Sequence, residues 1–228
     1  MNGDYCLKTV ARIRSDFPTK FGIPRQAGIV PDLEALVVFE PEYRCAEALR
    51  GLEGFSHIWL IWQFSQSVRE SWSPTVRPPR LGGNERMGVF ATRSPFRTNA
   101  LGLSCVELAG IEERAGLGTV LRVRGADLMD GTPIYDIKPY IPYADCRPAA
   151  ACGFAPDAGE KLPVVFAEGV AERIPAEKLA ALTGVLENDP RPRYQNDSER
   201  VYAMEFAGLE IKFTVGAGVT VLSAEKKL

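Results

Sequence analysis

The feature that most narrows the fold is the way the apolar runs are cut. Up to about residue 150 they are short, rich in β-branched and aromatic residues, and bounded by Gly and Pro clusters. Six are strand-like: Tyr5–Arg14, Leu36–Phe39, Phe55–Phe64, Gly88–Thr92, Ser104–Ile111 and Thr119–Arg124. Helical periodicity is scarce there, apart from one short helix expected at Ala46–Leu49 after the turn Pro41-Glu42. Strands that recur without alternating helices favour a barrel or sandwich over a doubly wound sheet. The texture changes at Asp145–Pro163, which reads as a surface linker. Beyond it come a strand at Val164–Val170, an amphipathic helix at Pro175–Glu187 with Pro175 in its first turn, and strands at Val201–Phe206, Leu209–Val215 and Val219–Ser223. Phe206-Ala207-Gly208-Leu209 is a hairpin turn candidate. The expected architecture is mainly β with a small α+β part: a domain over 1–150, a linker over 151–163 and a small C-terminal α+β domain over 164–228.

Composition removes several classes. The chain has 228 residues, 46% hydrophobic and 25% charged, which is too apolar and too balanced for a disordered protein. No apolar run approaches the roughly 20 residues of a membrane helix. Met1–Val10 lacks a basic stretch followed by an apolar one, so no secretory signal is expected. Cys6, Cys45, Cys105, Cys146 and Cys152 are odd in number and scattered, with no C-x₂-C spacing. Neither a disulfide framework nor a closed zinc site follows, and a reducing cytoplasm is the expected setting.

His57 is the only histidine, so a multi-histidine metal site is excluded within one chain. A Ser-His-Asp or Cys-His mechanism would have to use it. It falls in Phe55-Ser56-His57-Ile58-Trp59, read as a buried strand, so it is expected in the core with its ring nitrogens satisfied. A hydrolase acting through Ser56 or Ser65 fails for lack of G-x-S-x-G and a second histidine. Ala115-Gly116-Leu117-Gly118-Thr119 and Gly216-Ala217-Gly218 lack the strand-turn-helix setting of a phosphate or dinucleotide loop.

Net charge is −2, which argues against a generic nucleic-acid coat. The placement of charge says more. Arg69, Arg77, Arg80, Arg86, Arg93 and Arg97 face only Glu70 and Glu85 within their span. Arginine binds carboxylate and phosphate in bidentate fashion and stacks on bases, so this surplus points to a specific anionic ligand or to a solvated basic surface. Stiff Pro/Gly loops carry several of these charges, at Arg77–Asn84 and Ala91–Asn99. A third such loop, Asp130–Tyr140, interleaves two aspartates and a lysine with a turn.

Several long blocks, in order, resemble the TrmO/YaeB family of S-adenosylmethionine-dependent tRNA methyltransferases. They are Phe21–Gly28 (FGIPRQAG), Gly51–Trp59 (GLEGFSHIW), Val76–Asn84 (VRPPRLGGN), Met87–Arg97 (MGVFATRSPFR), Asp127–Tyr143 (DLMDGTPIYDIKPYIPY) and Asp189–Tyr194 (DPRPRY). The resemblance runs from about Gly3 to the C-terminus. It implies an N-terminal β-barrel that binds the cofactor, a small α+β C-terminal domain and a homodimer. It also implies methylation of N6 of threonylcarbamoyladenosine at position 37, in the anticodon loop of threonine tRNA.

Carried over by motif, the implied cofactor positions are Arg25, Gln26 and Ala27, then Ser65 and Gln66, Arg93, Leu103, and the turn Arg124-Gly125-Ala126-Asp127. Arg25 or Arg93 can pair a methionyl carboxylate, Asp127 can bond ribose or adenine groups, and Leu103 can supply an apolar wall. Transfer of a sulfonium methyl needs neither a metal nor a covalent intermediate. It does profit from an acceptor aimed at N6–H, for which Asp130, Asp136, neighbouring carbonyls and the nearby Asn99 are candidates. Arg97, Lys138 or Arg191 can meet the threonylcarbamoyl carboxylate, with Tyr140 and Asp189 beside them. Arg193 and other arginines can follow phosphates, and Trp72, Phe96 or Tyr194 can stack on bases.

Two departures from the family pattern stand out. Ser65 precedes Gln66 where the family has histidine, and Thr98 and Ala100 replace two prolines of R-P-N-P-I-G. A noncatalytic cofactor- or RNA-binding protein derived from the same barrel is the rival expectation.

Overall fold

The computed structural model describes residues 6–191 and 197–227. It is mainly β. Six strands form one sheet that closes on itself: β1 (Ala11–Arg14), β2 (Glu34–Phe39), β3 (His57–Gln63), β6 (Leu101–Arg114), β7 (Gly118–Arg124) and β8 (Pro133–Pro139), in the order β1-β2-β7-β6-β3-β8. β1 closes the ring by pairing with β2 on one side and β8 on the other, both antiparallel. A two-stranded ribbon of β4 (Thr75–Val76) and β5 (Met87–Gly88) lies in the long β3–β6 excursion.

Alternation explains the ring. Along β3 every second residue, Ile58, Leu60 and Trp62, is buried. Those side chains meet Ile13, Val37, Val106, Leu121, Val123, Leu128 and Ile134 in one core. Gly102 on β6 lies opposite Trp62, and a Cβ there would stand 2.3 Å from the indole ring. The bulkiest inward side chain is accommodated because its cross-strand neighbour has none.

The C-terminal module has a four-stranded sheet, β10 (Tyr202–Phe206), β11 (Leu209–Val215), β12 (Val219–Lys226) and β9 (Val164–Phe166), with β9 parallel to β12. Helix α2 (Ala176–Glu187) buries Ala181, Leu182, Val185 and Leu186 in the same core as Phe206, Ile211, Phe213 and Val221. The β10–β11 turn takes positive φ at both Ala207 (51°) and Gly208 (77°), the backbone of a tight hairpin turn.

The two cores do not divide at residue 150. Phe17, Val30 and Leu33, from the β1–β2 connection, are buried in the C-terminal core. Phe17 meets Phe206 edge-on at 5.4 Å, Phe21 stacks on Phe213 at 6.3 Å, and Lys178 Nζ pairs with Asp16 at 2.6 Å. Gly184 of α2 leaves room for Val30, whose Cγ1 would sit 2.7 Å from a Cβ there.

Other expectations are corrected locally. His57 is exposed, because it falls on the outward face of β3 with Trp59 and Ile61, opposite buried Ile58, Leu60 and Trp62; its Nδ1 lies 3.0 Å from Ser56 Oγ. Ala46–Leu49 is a 3-10 turn with no buried residue, so nothing packs it into a longer helix. Only Met87 and Gly88 pair as a strand, and Val89–Ala91 turns instead, with the Thr92 side chain donating to the Val89 carbonyl. The expected linker opens inside a short helix, α1 (Pro142–Asp145), and is fastened at Asp157 by Arg80, 2.6 Å to the carbonyl.

Candidate functional site

The β1–β2 connection carries the Pro-Arg-Gln loop to the turn that follows β7. Gly28 N–H donates to the Gly125 carbonyl at 2.8 Å, and Gly125 N–H donates to the Leu33 carbonyl at 2.8 Å. Gly125 has φ +73°, and a Cβ on it would stand 3.1 Å from Gly28 Cα, so glycine is what lets the two backbones touch. This contact brings together residues a hundred positions apart.

A chain of hydrogen bonds runs through that junction. Trp62 Nε1 donates to Ser104 Oγ at 2.9 Å, and Ser104 Oγ donates to Asp127 Oδ1 at 2.5 Å. Burial raises the Asp127 pKa above its ordinary value, while hydrogen bonds from Ser104 and from the amides of Asp127 and Ala27, and the charge of Arg93, partly pull it down. Arg93 Nη1 donates to Gln26 Oε1, Gln26 Nε2 donates to the Arg25 carbonyl at 2.5 Å, and Arg25 Nη2 reaches the Asp189 carbonyl at 3.4 Å. Asp189 ends the α2 region in the left-handed conformation (φ 47°), and its carboxylate holds Arg191 Nε at 3.0 and 3.1 Å. Arg191 also donates to the Val215 carbonyl at 3.2 Å.

Of the implied cofactor positions, Arg25, Gln26, Ala27, Arg93 and Asp127 are therefore joined directly, and Asp189 and Arg191 are attached to them. Ala126 is buried beneath. Arg124 is not aimed with them: its Nε holds Glu34 at 3.0 Å, with Glu107 at 3.8 Å. Leu103 is exposed on the outer face of β6, and Ser65 and Gln66 lie in the exposed turn after β3. Sequence reading missed Trp62 and Ser104 as supports of Asp127. The signal was the alternation of β6, which turns Gly102 and Ser104 inward between exposed Leu101 and Leu103.

The proton-acceptor candidates lie apart from this hydrogen-bond chain. Asp130 Oδ1 accepts the Ser15 amide at 3.0 Å, Asp136 Oδ1 accepts the Ile137 amide at 2.9 Å, and Asp136 Oδ2 pairs with Lys138 at 3.0 Å. Asn99 is exposed. Tyr140 packs beside Trp59 at 5.9 Å and His57 at 6.2 Å. Several arginines of the basic run staple loops: Arg69 lies 3.8 Å over Phe96, Arg86 bonds Thr75 Oγ1, and Arg97 bonds the Thr92 carbonyl. Arg193 and Tyr194 lie outside the described residues. Among the described residues no group of three His, Cys, Asp or Glu could hold a metal ion, and no helix is long and apolar enough to cross a membrane.

The donor set suits a zwitterionic nucleoside ligand. A carboxylate offers about four lone-pair positions, and the three hydrogen bonds named above leave Asp127 able to accept from a ribose hydroxyl or an exocyclic amine. Arg93, with five donors of which Gln26 takes one, retains capacity for a carboxylate.

The chain is similar to known proteins along nearly its whole length. The family model described as the tRNA-methyltransferase O N-terminal domain matches residues 12–146, and that of the TrmO C-terminal domain matches residues 159–227. The tRNA (adenine(37)-N6)-methyltransferase of Escherichia coli is 40% identical over 231 residues, covering 97% of this chain and 98% of that protein. The putative S-adenosylmethionine-dependent methyltransferase RcsF of Pseudomonas aeruginosa is 39% identical over 217 residues, 91% of each chain. A crystal structure of TrmO from P. aeruginosa superposes with a TM-score of 0.80 at 32% identity, covering 100% of this chain and 99% of that one. The chain belongs to the tRNA-methyltransferase O family.

Proposed function

We propose that the protein is a tRNA methyltransferase that moves a methyl group from S-adenosylmethionine to N6 of adenosine 37, carried as threonylcarbamoyladenosine in threonine tRNA. The observation that carries this reading is the convergence of Gln26, Ala27, Arg93 and Asp127 on one hydrogen-bonded junction over the closed sheet, a β-barrel that would hold the cofactor. The names of the E. coli and P. aeruginosa relatives support the acceptor and the donor respectively. The cofactor supplies an electrophilic sulfonium methyl. Asp127 would accept from its ribose or adenine, and Arg93 or Arg25 would pair its carboxylate. Ser65, Gln66 and Leu103 would form further walls, with the backbone of Arg124, Gly125 and Ala126. Arg97, Lys138, Tyr140, Asp189 and Arg191 would face the RNA.

N6 is a weak nucleophile, so the contribution of a rigid junction is to hold nitrogen and methyl in near-attack geometry. Once the C–N bond has formed, the nitrogen is acidic enough to pass its proton to water. We infer that neither Asp130, tied to Ser15, nor Asp136, tied to Lys138, is the acceptor. Asp130→Asn and Asp136→Asn are expected to retain kcat within about threefold. A fall of roughly a hundredfold in either, the scale of a lost general base, would restore that residue to the chemistry.

The decisive assay incubates the protein with S-adenosylmethionine and threonine tRNA lacking the methyl group, then weighs the nucleosides by mass spectrometry. Threonylcarbamoyladenosine should gain one methyl. Calorimetric binding of the cofactor without that gain would favour the noncatalytic rival, and no binding would refute both. We also infer a cytoplasmic homodimer in which a second copy covers the exposed Val68, Trp72 and Phe90. Sedimentation velocity at micromolar concentration should give a dimer, and a monomer would refute that part.

A further inference from the structure

Lys20 belongs to none of the positions discussed so far, yet it spans two of the segments assigned to the cofactor. It lies on the β1–β2 connection, between the buried Phe17 and the loop carrying Arg25, Gln26 and Ala27. Its Nζ donates to the Gln66 carbonyl at 3.0 Å and to Ser67 Oγ at 3.1 Å. Ser67 is 7% exposed, and its amide donates to the Phe64 carbonyl at 2.9 Å, so the turn after β3 is already folded back on itself. Lys20 fastens that folded turn to a different segment of chain.

The choice of partners is informative. Lys178, Lys161 and Lys138 are held by the carboxylates of Asp16, Glu187 and Asp136. Both partners of Lys20 are neutral, so its bonds set the position of a turn without neutralising a charge. An ammonium has three donors in a tetrahedral array and can serve two acceptors on one turn, and charge-assisted bonds are roughly twice as strong as neutral ones.

We propose that Lys20 is a positioning residue that locks the Ser65-Gln66 turn against the Arg25-Gln26-Ala27 loop and thereby sets the spacing between two walls of the cofactor site. The near end of its own segment is anchored: Asp16 is paired with Lys178, and Phe17 is buried against Phe206. The lysine extends that fixed point to the far wall. The proposal rests on the cofactor reading given above, and it deepens that reading by adding a residue that acts through Gln66 and Ser67.

The test compares wild type, Lys20→Met and Lys20→Arg, titrated calorimetrically with S-adenosylmethionine and assayed at saturating cofactor and tRNA. Because Lys20 is exposed, water moderates the loss, and Lys20→Met should raise the cofactor Kd about tenfold while kcat at saturation stays within about twofold. Lys20→Arg keeps donors and charge and should recover the Kd to within about threefold of wild type. Hydrogen exchange without any ligand should show faster exchange at residues 64–67 in Lys20→Met. Should that variant fold poorly, Ser67→Ala removes one of the two acceptors and should raise Kd by about threefold. A Kd within about twofold of wild type for a folded Lys20→Met, or a collapse of kcat with Kd unchanged, overturns the proposal. If wild type itself binds no cofactor, the cofactor reading fails, and the exchange experiment alone decides whether the lock exists.

Discussion

Asp127→Asn is expected to weaken S-adenosylmethionine binding by about ten- to a hundredfold without unfolding the protein. A hydrogen bond to a charged acceptor is worth about 1.5–3 kcal/mol, and each 1.4 kcal/mol is tenfold in Kd. The fold should tolerate the change because the ionised carboxyl is itself costly in this position. Burial raises its pKa above the reference value of 3.8, more than Ser104, the two amides and Arg93 lower it. The folded state therefore binds the Asp127 proton more tightly than the unfolded chain does. Stability from this group is lost as pH rises from 3.8 through the raised folded pKa, and the loss is complete above it. Asparagine carries no such dependence. The melting temperature of Asp127→Asn relative to wild type should move in the variant's favour across that window and stay there at neutral pH. Calorimetry for affinity and thermal melts from pH 3 to 8 check both halves. Unchanged affinity would remove Asp127 from the site, and a variant that melts far below wild type at pH 7 would make it a structural residue.

This opposition of stability and binding shows what could be read from the chain alone. Five of the six ring strands were legible as short runs of β-branched and aromatic residues, as at Ile58–Trp62, whereas β8 (Pro133–Pro139) was read as part of a stiff loop because its two prolines and interleaved charges mask the strand. The hairpin at Ala207-Gly208 and the helix ending at Glu187 were legible for similar local reasons. Residue types at the site came from motif likeness, and their convergence did not, since it needs the Gly28–Gly125 backbone contact to set Ala27 beside Asp127 and the β3–β6 excursion to bring Arg93 to Gln26. His57 was misplaced because a run with apolar residues at both parities, Ile58 and Leu60 on one and Trp59 and Ile61 on the other, hides which face turns outward. The division at residue 150 failed to show the packing of the Phe17–Leu33 segment because composition reports where a segment lies in the chain and not which core it enters. Phe17 looks like any apolar residue near an N-terminus until Phe206 is placed beside it.

That displaced segment yields the second large expectation. Phe17 is 1% exposed, its ring lies in the C-terminal core, and its carbonyl accepts the Asp130 amide of the ring domain at 2.8 Å. One residue thus fastens the cofactor loop to both parts of the protein. Phe17→Ala removes a fully buried aromatic and should cost about 3–5 kcal/mol, a large share of the 5–15 kcal/mol that holds a typical domain. Urea titration should show the loss. The same variant should weaken cofactor binding, because the Arg25–Ala27 loop loses the anchor behind it. A core lesion of other origin separates the two effects. Val221→Ala, fully buried on β12 in the same core but not itself part of the β1–β2 connection, should lower stability while leaving cofactor affinity near that of wild type wherever the protein remains folded. Phe206→Ala combined with Phe17→Ala should destabilise by less than the sum of the two, since the rings share one contact. If Phe17→Ala and Val221→Ala lower affinity only in proportion to the fraction unfolded, the C-terminal module is a passive partner. If Phe17→Ala alone lowers the affinity of the folded fraction, the module acts as the back wall of the cofactor loop, which is the role its packing against residues 16–33 supports.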